Sequence, residues 1–305
     1  MCKLSGLILS LIARILLGAI FVLSSVAKLS SMESFELYVF SFSLASFDVS
    51  SIIARCVVIA EFLIGVFLLL RIFVRPVNLI ALAFLAAFSI FLLWRIILGD
   101  EESCHCMGDL LDMSPFYSLI KNLFLAGLLA LGWNIKSGRL FHHKIFVSIT
   151  TAVVSLAVFM ISPPDLYFRD SSVSEDFSEE AFLTVADSLD VLSGRQMVCF
   201  YSATCEHCRH CASKVAGIIR RHELPLDSIL VVFMQTHEDQ DSAVSLFYEE
   251  YGDGLVLEYM SLHPLKFLPL TNGAMPIVTL LDDGKLVKEY DYISIDEKQI
   301  ASFLK

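Results

Sequence analysis

Charge is scarce in this 305-residue chain, and positive charge is scarcest: 22 Lys and Arg face 33 Asp and Glu, charged residues make up 18% of the whole, and the net charge is −11. A nucleic-acid partner, which needs a basic surface, has no support. Two long stretches, 29–54 and 96–120, contain no Lys or Arg at all. There are no internal repeats at solenoid periods and no low-complexity tracts, so a repeat architecture is excluded. The first apolar run lacks a small-residue cleavage site, so a retained span is expected there rather than a removed signal peptide.

What is present in excess is hydrophobicity, 56% of residues with a mean hydropathy of +0.70, far above the soluble average. Apolar runs at Leu7–Leu29, Ser51–Leu70, Val77–Leu98, Phe116–Trp133 and Ile145–Ile161 are the candidate bilayer spans, the fifth only just long enough. From Asp165 onward 24 acidic and 11 basic side chains give a net of −13, whereas the preceding residues carry a net of +2. The chain thus reads as a membrane half followed by an acidic soluble half. Lys3, Arg71, Arg75, Lys136, Arg139 and Lys144 lie at the N-terminus and in the even-numbered loops, while the odd loops are purely acidic. By the positive-inside rule the N-terminus is cytoplasmic and the soluble half extracytoplasmic, the periplasmic face of a bacterial inner membrane, where disulfides persist.

The most informative motif is Cys205-Glu206-His207-Cys208. A β-prone run, Met197 to Tyr201, delivers it to the start of a helical pattern. A thiol at a helix N-terminus is stabilised as thiolate by the helix dipole and by unpaired N–H donors, and a second Cys one turn on can close a disulfide. Zinc is the competing reading, since Cys205, Cys208, Cys211, His207 and His210 are all metal-capable. No second half-site follows, and neither His spacing completes a structural set, so no metal is assigned. Cys211 is expected to be a helix-buried thiol.

This segment resembles thioredoxin, and the resemblance runs from about Phe177 to Lys305: Met275-Pro276 with the strand after it and the turn at Gly284 match that fold's cis-Pro region. It implies that Pro276 is cis and faces the CxxC, where client polypeptides bind, that Cys205 is the attacking and Cys208 the resolving thiol, and that His207 stabilises the Cys205 thiolate as in oxidising relatives. The expected order is a helix to about Arg221, strand Ile229–Met234, helix Ala243–Tyr251, strand Leu255–Tyr259 and a last helix over Asp296–Leu304. Two positions depart from the pattern. Thr204 replaces the usual aromatic residue, and Cys199 replaces the buried acid that accepts the resolving thiol's proton.

A second pair, Cys104-His105-Cys106, lies in the loop after the third span, on the same side as the soluble half. A CxC bridge closes a small strained ring, which suits exchange better than structure. Free thiols or a weak metal site with His105 are the bland alternatives. Together with Arg14 to Phe21, Ala27-Lys28 and Glu61 to Gly65, the CxCxG sequence makes Leu7 to Trp133 look like the MauE group of DoxX-type membrane proteins, which implies a four-helix membrane domain associated with disulfide chemistry. The family's usual Gly between the cysteines is His105 here.

Lys28, Arg55, Arg95 and Lys121 fall near the outer ends of the first four spans, and Glu61 lies deeper. Lys28 is expected to snorkel to headgroups. Arg55, Arg95 and Lys121, with Glu61 as counter-ion or proton carrier, are the candidate lining of a basic pocket for an anionic acceptor such as a quinol. Cys56 is expected to pack as a small apolar residue.

The expected architecture is an α-helical transmembrane bundle of about five spans (1–164), a linker (165–180) and an extracytoplasmic α/β thioredoxin-like domain (181–305). The expected function is membrane thiol–disulfide oxidoreduction, with electrons passing between the CxxC and the CxC loop, extracytoplasmic thiol proteins as clients, lipid around the bundle and a quinone as acceptor. The alternatives are a reductive relay and a non-catalytic redox sensor or assembly chaperone.

Overall fold

The structure, a computed structural model, describes residues 2–42, 45–97, 113–133, 143–167, 176–178, 180–182, 194–236, 239–252 and 254–305. The chain divides into two compact units, Met1–Tyr38 with Ile52–Pro163, and Val39–Ser51 with Pro164–Lys305.

Apart from the end of α2 and the start of α3, which belong to the second unit, the first unit is built from apolar helices: α1 (Cys2–Ser30), α2 (Met32–Ser41), α3 (Phe47–Leu70), α4 (Val74–Ile97), α5 (Pro115–Leu131) and α6 (His143–Ile161). Within these, Leu7–Ser30, Phe47–Leu70, Val74–Ile97 and Lys144–Ile161 are long and apolar enough to cross a membrane. The fourth expected span, α5, is apolar but has only 17 residues, about 26 Å at 1.5 Å per residue. Pro115 occupies its first turn, where a missing N–H costs nothing. The protein is a multi-pass membrane protein.

Small residues set the bundle's closest approach. A Cβ on Gly18 would lie 2.9 Å from the Gly65 carbonyl oxygen, and one on Gly65 would lie 2.9 Å from that of Gly18, so α1 and α3 meet backbone to backbone. Around this seam Ala13, Leu17, Phe21, Ile64, Leu68, Val77, Ala81, Leu85, Leu125 and Leu129 form the core. Arg14, 2% exposed, ties the same helices together: Nε donates to the Leu68 carbonyl at 2.9 Å and Nη1 to Asn78 Oδ1 at 2.8 Å.

Among the described residues, the second unit carries a five-stranded mixed sheet. Its elements are β1 (Arg195–Tyr201), α7 (Glu206–His222), β2 (Ile229–Met234), α8 (Gln240–Tyr251), β3 (Glu258–Leu262), α9 (Pro264–Thr271), β4 (Ile277–Asp282), β5 (Lys285–Tyr290) and α10 (Glu297–Leu304). The strand order is β3-β2-β1-β4-β5. β1 pairs in parallel with β2 and antiparallel with β4, the mixed sheet of a thioredoxin-like domain. Alternation along β1 sends Val198 and Phe200 into a cluster with Phe177, Phe182, Phe267 and Ile277, while Cys199 and Tyr201 face the other side of the sheet. Asp239 and Asp296 cap α8 and α10, Asp239 accepting from the Ser242 N–H and Asp296 from the Lys298 and Gln299 N–H groups, and this fixes where both helices begin.

Helix α8 begins at Gln240, three residues before the expected Ala243, and two further elements depart from expectation. The strand expected at Leu255–Tyr259 pairs three residues later, with Glu258 opposite Leu230. It is an edge strand in which Leu262 alone is buried, so apolar residues do not mark its register. Helix α9 was not expected: His263 caps it and Pro264 begins it. Phe177, at the end of the expected linker, is 7% exposed in the core, and its backbone N–H donates to the Glu289 carboxylate at 3.2 Å.

Candidate active site: a thiol pair at a helix start

Strand β1 ends at Tyr201, and a four-residue turn brings Cys205 to the N-cap of α7 with extended backbone angles (φ −84°, ψ 121°). The Cys208 backbone N–H donates to Cys205 Sγ at 3.3 Å. Cys205 is half-buried, whereas Cys208 is fully buried and both are free thiols. Cys208 Sγ itself accepts the Ser202 N–H at 3.4 Å.

These contacts separate the two thiols chemically. The hydrogen bond from the Cys208 thiol is the largest influence lowering Cys205, to about 6; the Cys208 and His207 N–H groups and the His207 side chain add to it, and partial burial opposes it. Burial, and donation to Cys205, push Cys208 far upward. One thiol is thus largely ionised near neutral pH, and the other is held protonated.

His207 is exposed and its ring stacks on Tyr292, centroids 4.6 Å apart with 16° between the planes. The Met275–Pro276 peptide bond is cis. The pairing of Phe200 with Ile277 puts Pro276 beside the end of β1 from which the CxxC departs.

Two further thiols are buried in the same domain. Cys199 and Cys211 are both fully buried, and the Tyr201 hydroxyl donates to Cys211 Sγ at 3.5 Å. Burial raises Cys211 to about 12 and Cys199 further. The position of the usual buried acid thus holds a protonated thiol, so no resident carboxylate takes the Cys208 proton there. Cys199 and Tyr201 share a strand face two residues apart, the signal that points to this cluster.

Cys104 and Cys106 lie outside the described residues. The intramembrane charges fall into separate groups rather than one basic pocket. Lys28 does not snorkel: it is 4% exposed and its Nζ lies 2.7 Å from Glu61 Oε2 and 2.9 Å from Ser24 Oγ. Its ammonium is held inward by a partner one helix away. Lys28, Glu61, Lys121, Ser24 and Asn122 line a cavity of about 40 Å³, measured for water-sized groups. That is room for about three waters. Arg55 and Arg95 are not part of this lining. Arg55 pairs with Glu36 at 2.6 Å and donates to the Ser162 carbonyl, and Arg95 lies over the Tyr38 ring at 5.3 Å. Cys56 is exposed on α3 instead of packed.

Fold and site together define a polytopic membrane segment joined to a thioredoxin-like domain with an asymmetric CxxC pair, a thiol–disulfide exchange centre. Comparison with known proteins agrees. Residues 7–135 match the family model described as Methylamine utilisation protein MauE. Protein TlpB of Flavobacterium psychrophilum is 24% identical over an alignment 336 positions long, which covers 92% of this chain and 90% of that protein. Residues 7–135 are thus similar to the MauE family, and a thioredoxin-like sheet follows them in the chain.

Proposed function

We propose that this protein is a thiol–disulfide oxidoreductase that oxidises extracytoplasmic client proteins and passes the electrons to its own membrane CxC pair. The observation that carries the reading is the asymmetry of Cys205 and Cys208, a half-buried low-pKa thiol hydrogen-bonded to a fully buried one. A lowered thiolate pKa stabilises the dithiol and makes the disulfide the stronger oxidant.

A client thiolate attacks Cys205 Sγ of the disulfide, Cys208 leaves and takes up a proton, and the client's second thiol releases an oxidised client. The Cys205 thiolate then attacks the Cys104–Cys106 disulfide, Cys208 resolves the adduct, and the CxC becomes a dithiol. Two electrons and two protons pass from it to a membrane quinone, giving quinol. In this reading the cavity at Lys28, Glu61 and Lys121 serves charge and protons. Both pairs lie outside the cytoplasm, because the loops on their side carry no Lys or Arg. Joining them in one chain gives effective concentrations of about millimolar.

A covalent trap tests the relay. In a Cys208→Ala variant the adduct between Cys205 and Cys104 or Cys106 has no resolving thiol, so non-reducing peptide mapping should find the two peptides linked. Adducts exclusively with other proteins, together with an unchanged Cys205/Cys208 redox state in a Cys104→Ala/Cys106→Ala variant, would separate the two motifs. For the orientation, a membrane-impermeant maleimide applied to intact reduced cells should label Cys104 and Cys205. Labelling only after lysis would overturn the placement outside the cytoplasm.

A further inference from the structure

We propose that Tyr292, on the loop between β5 and α10, is a positioning residue for the thiol pair: its ring clamps the His207 imidazole in the orientation that supports the Cys205 thiolate. This rests on the reading of Cys205 as the attacking thiol.

An exposed imidazole two residues into a helix has little to hold it, since its two side-chain torsions are free to sweep through solvent. Here a near-parallel ring covers one face at 4.6 Å. That ring is itself fixed at its backbone. The Tyr292 carbonyl accepts from Lys214 Nζ at 2.7 Å, and Lys214 sits on α7 two turns after His207, 4% exposed. The same ammonium is paired with Asp165 at 2.7 Å and lies 4.1 Å from the Phe47 ring, so it is not free to leave. The loop around Tyr292 is also braced from within. Asp291 Oδ1 accepts from the Ile293 and Ser294 N–H groups at 3.1 and 2.6 Å, and Ser294 Oγ accepts the Asp291 N–H at 2.9 Å.

The result is a closed circuit on one helix: His207 to the Tyr292 ring, the Tyr292 carbonyl to Lys214, and Lys214 back along α7. Glu206 and His210 on α7, Lys214, and Asp291 on the loop are among the charged and titratable groups near it. None of them lies between the two rings, which stack directly. The geometry therefore converts a mobile side chain into a fixed element of the field at Cys205, which His207 helps to lower.

The test is the pH profile of Cys205 alkylation by iodoacetamide in the full-length reduced protein in nanodiscs, quantified on the Cys205 peptide by mass spectrometry. Tyr292→Leu should lower the rate at pH 6 by about two- to fivefold, the scale of one aromatic contact, and shift the profile to higher pH. Tyr292→Phe keeps the ring and should retain the parental profile. In a His207→Gln background, Tyr292→Leu should have no further effect. A shift that persists in that background, or an equal loss with Phe, would show that Tyr292 acts on the fold and not through His207. An unmoved profile for Tyr292→Leu alongside a shifted one for His207→Gln overturns the clamp and leaves the role of His207 intact. An unmoved profile for both removes His207 as well, and a profile with no low-pH reactivity at Cys205 in the parent removes the underlying assignment of the nucleophile.

Discussion

Cys205→Ala should reduce disulfide exchange with a client to the uncatalysed level, whereas Cys208→Ala should leave the attack intact and strand it as mixed disulfides. The difference follows from position. Cys205 stands at the N-cap with its sulfur half-buried and hydrogen-bonded, and Cys208 is covered completely. An incoming disulfide or thiolate therefore meets Cys205 first. Client adducts accumulating on Cys208 in the Cys205→Ala variant, with none on Cys205 in the converse variant, would reverse the roles.

The same experiment has a pH signature. With Cys205 lowered to about 6, its alkylation should rise about tenfold per pH unit up to that value and level off above it. Because the folded value lies below the unfolded one near 9, this thiolate's contribution to stability of the dithiol is complete above about pH 9 and is lost as the pH falls through about 6. The largest single influence on Cys205 is the hydrogen bond from the Cys208 thiol. Cys208→Ala removes that donor, so the trap variant should titrate higher than the parent and react more slowly at pH 6 even as it accumulates adducts. A trap variant with the parental profile would place the cause of the lowered pKa in the helix terminus and His207 alone.

Much of this centre is legible in the sequence because its signals are local. The run from Met197 to Tyr201, the CxxC, and the Asp residues before α8 and α10 each announce an element within a few positions, and β2 falls where the apolar run Ile229–Met234 stands. Signals that depend on distant partners are not legible. The stack of His207 on Tyr292 joins residues on separate elements, and neither residue type is unusual where it stands. The charges of the first unit show the same limit. Each span declares its own Lys or Arg, but which carboxylate answers it depends on helix rotation, which hydropathy does not encode. Hence Lys28, expected at the headgroups, turns inward to Glu61, and Arg55 is taken by Glu36 from α2, a helix too short and polar to register as a span. Ser24, one turn before Lys28 and bonded to both partners of that pair, is a hint available after the fact.

Glu61→Ala should be among the most destabilising single changes in the first unit, by about 3–5 kcal/mol, because it leaves the Lys28 ammonium buried without its carboxylate. The side chains of the pair are only 5% and 9% exposed, so water replaces the lost partner poorly, and Lys121 on the same cavity adds a second positive charge. Removing both members, Lys28→Met with Glu61→Leu, should recover most of the loss, since two desolvated charges are exchanged for apolar packing. Thermal unfolding in a fixed lipid nanodisc measures this, and equal losses in the single and double variants would show that the two side chains are not coupled. Glu61→Gln then divides structure from proton handling. The amide preserves a hydrogen-bond acceptor for Ser24 and Lys28 but carries no charge and does not exchange a proton at neutral pH. If Glu61 serves only the packing of α1 against α3, the surviving folded protein should turn over clients at the parental rate. If the cavity passes protons during oxidation of the membrane dithiol, Glu61→Gln should slow multiple turnover while leaving the first exchange at Cys205 untouched, because that step needs no proton from the bundle.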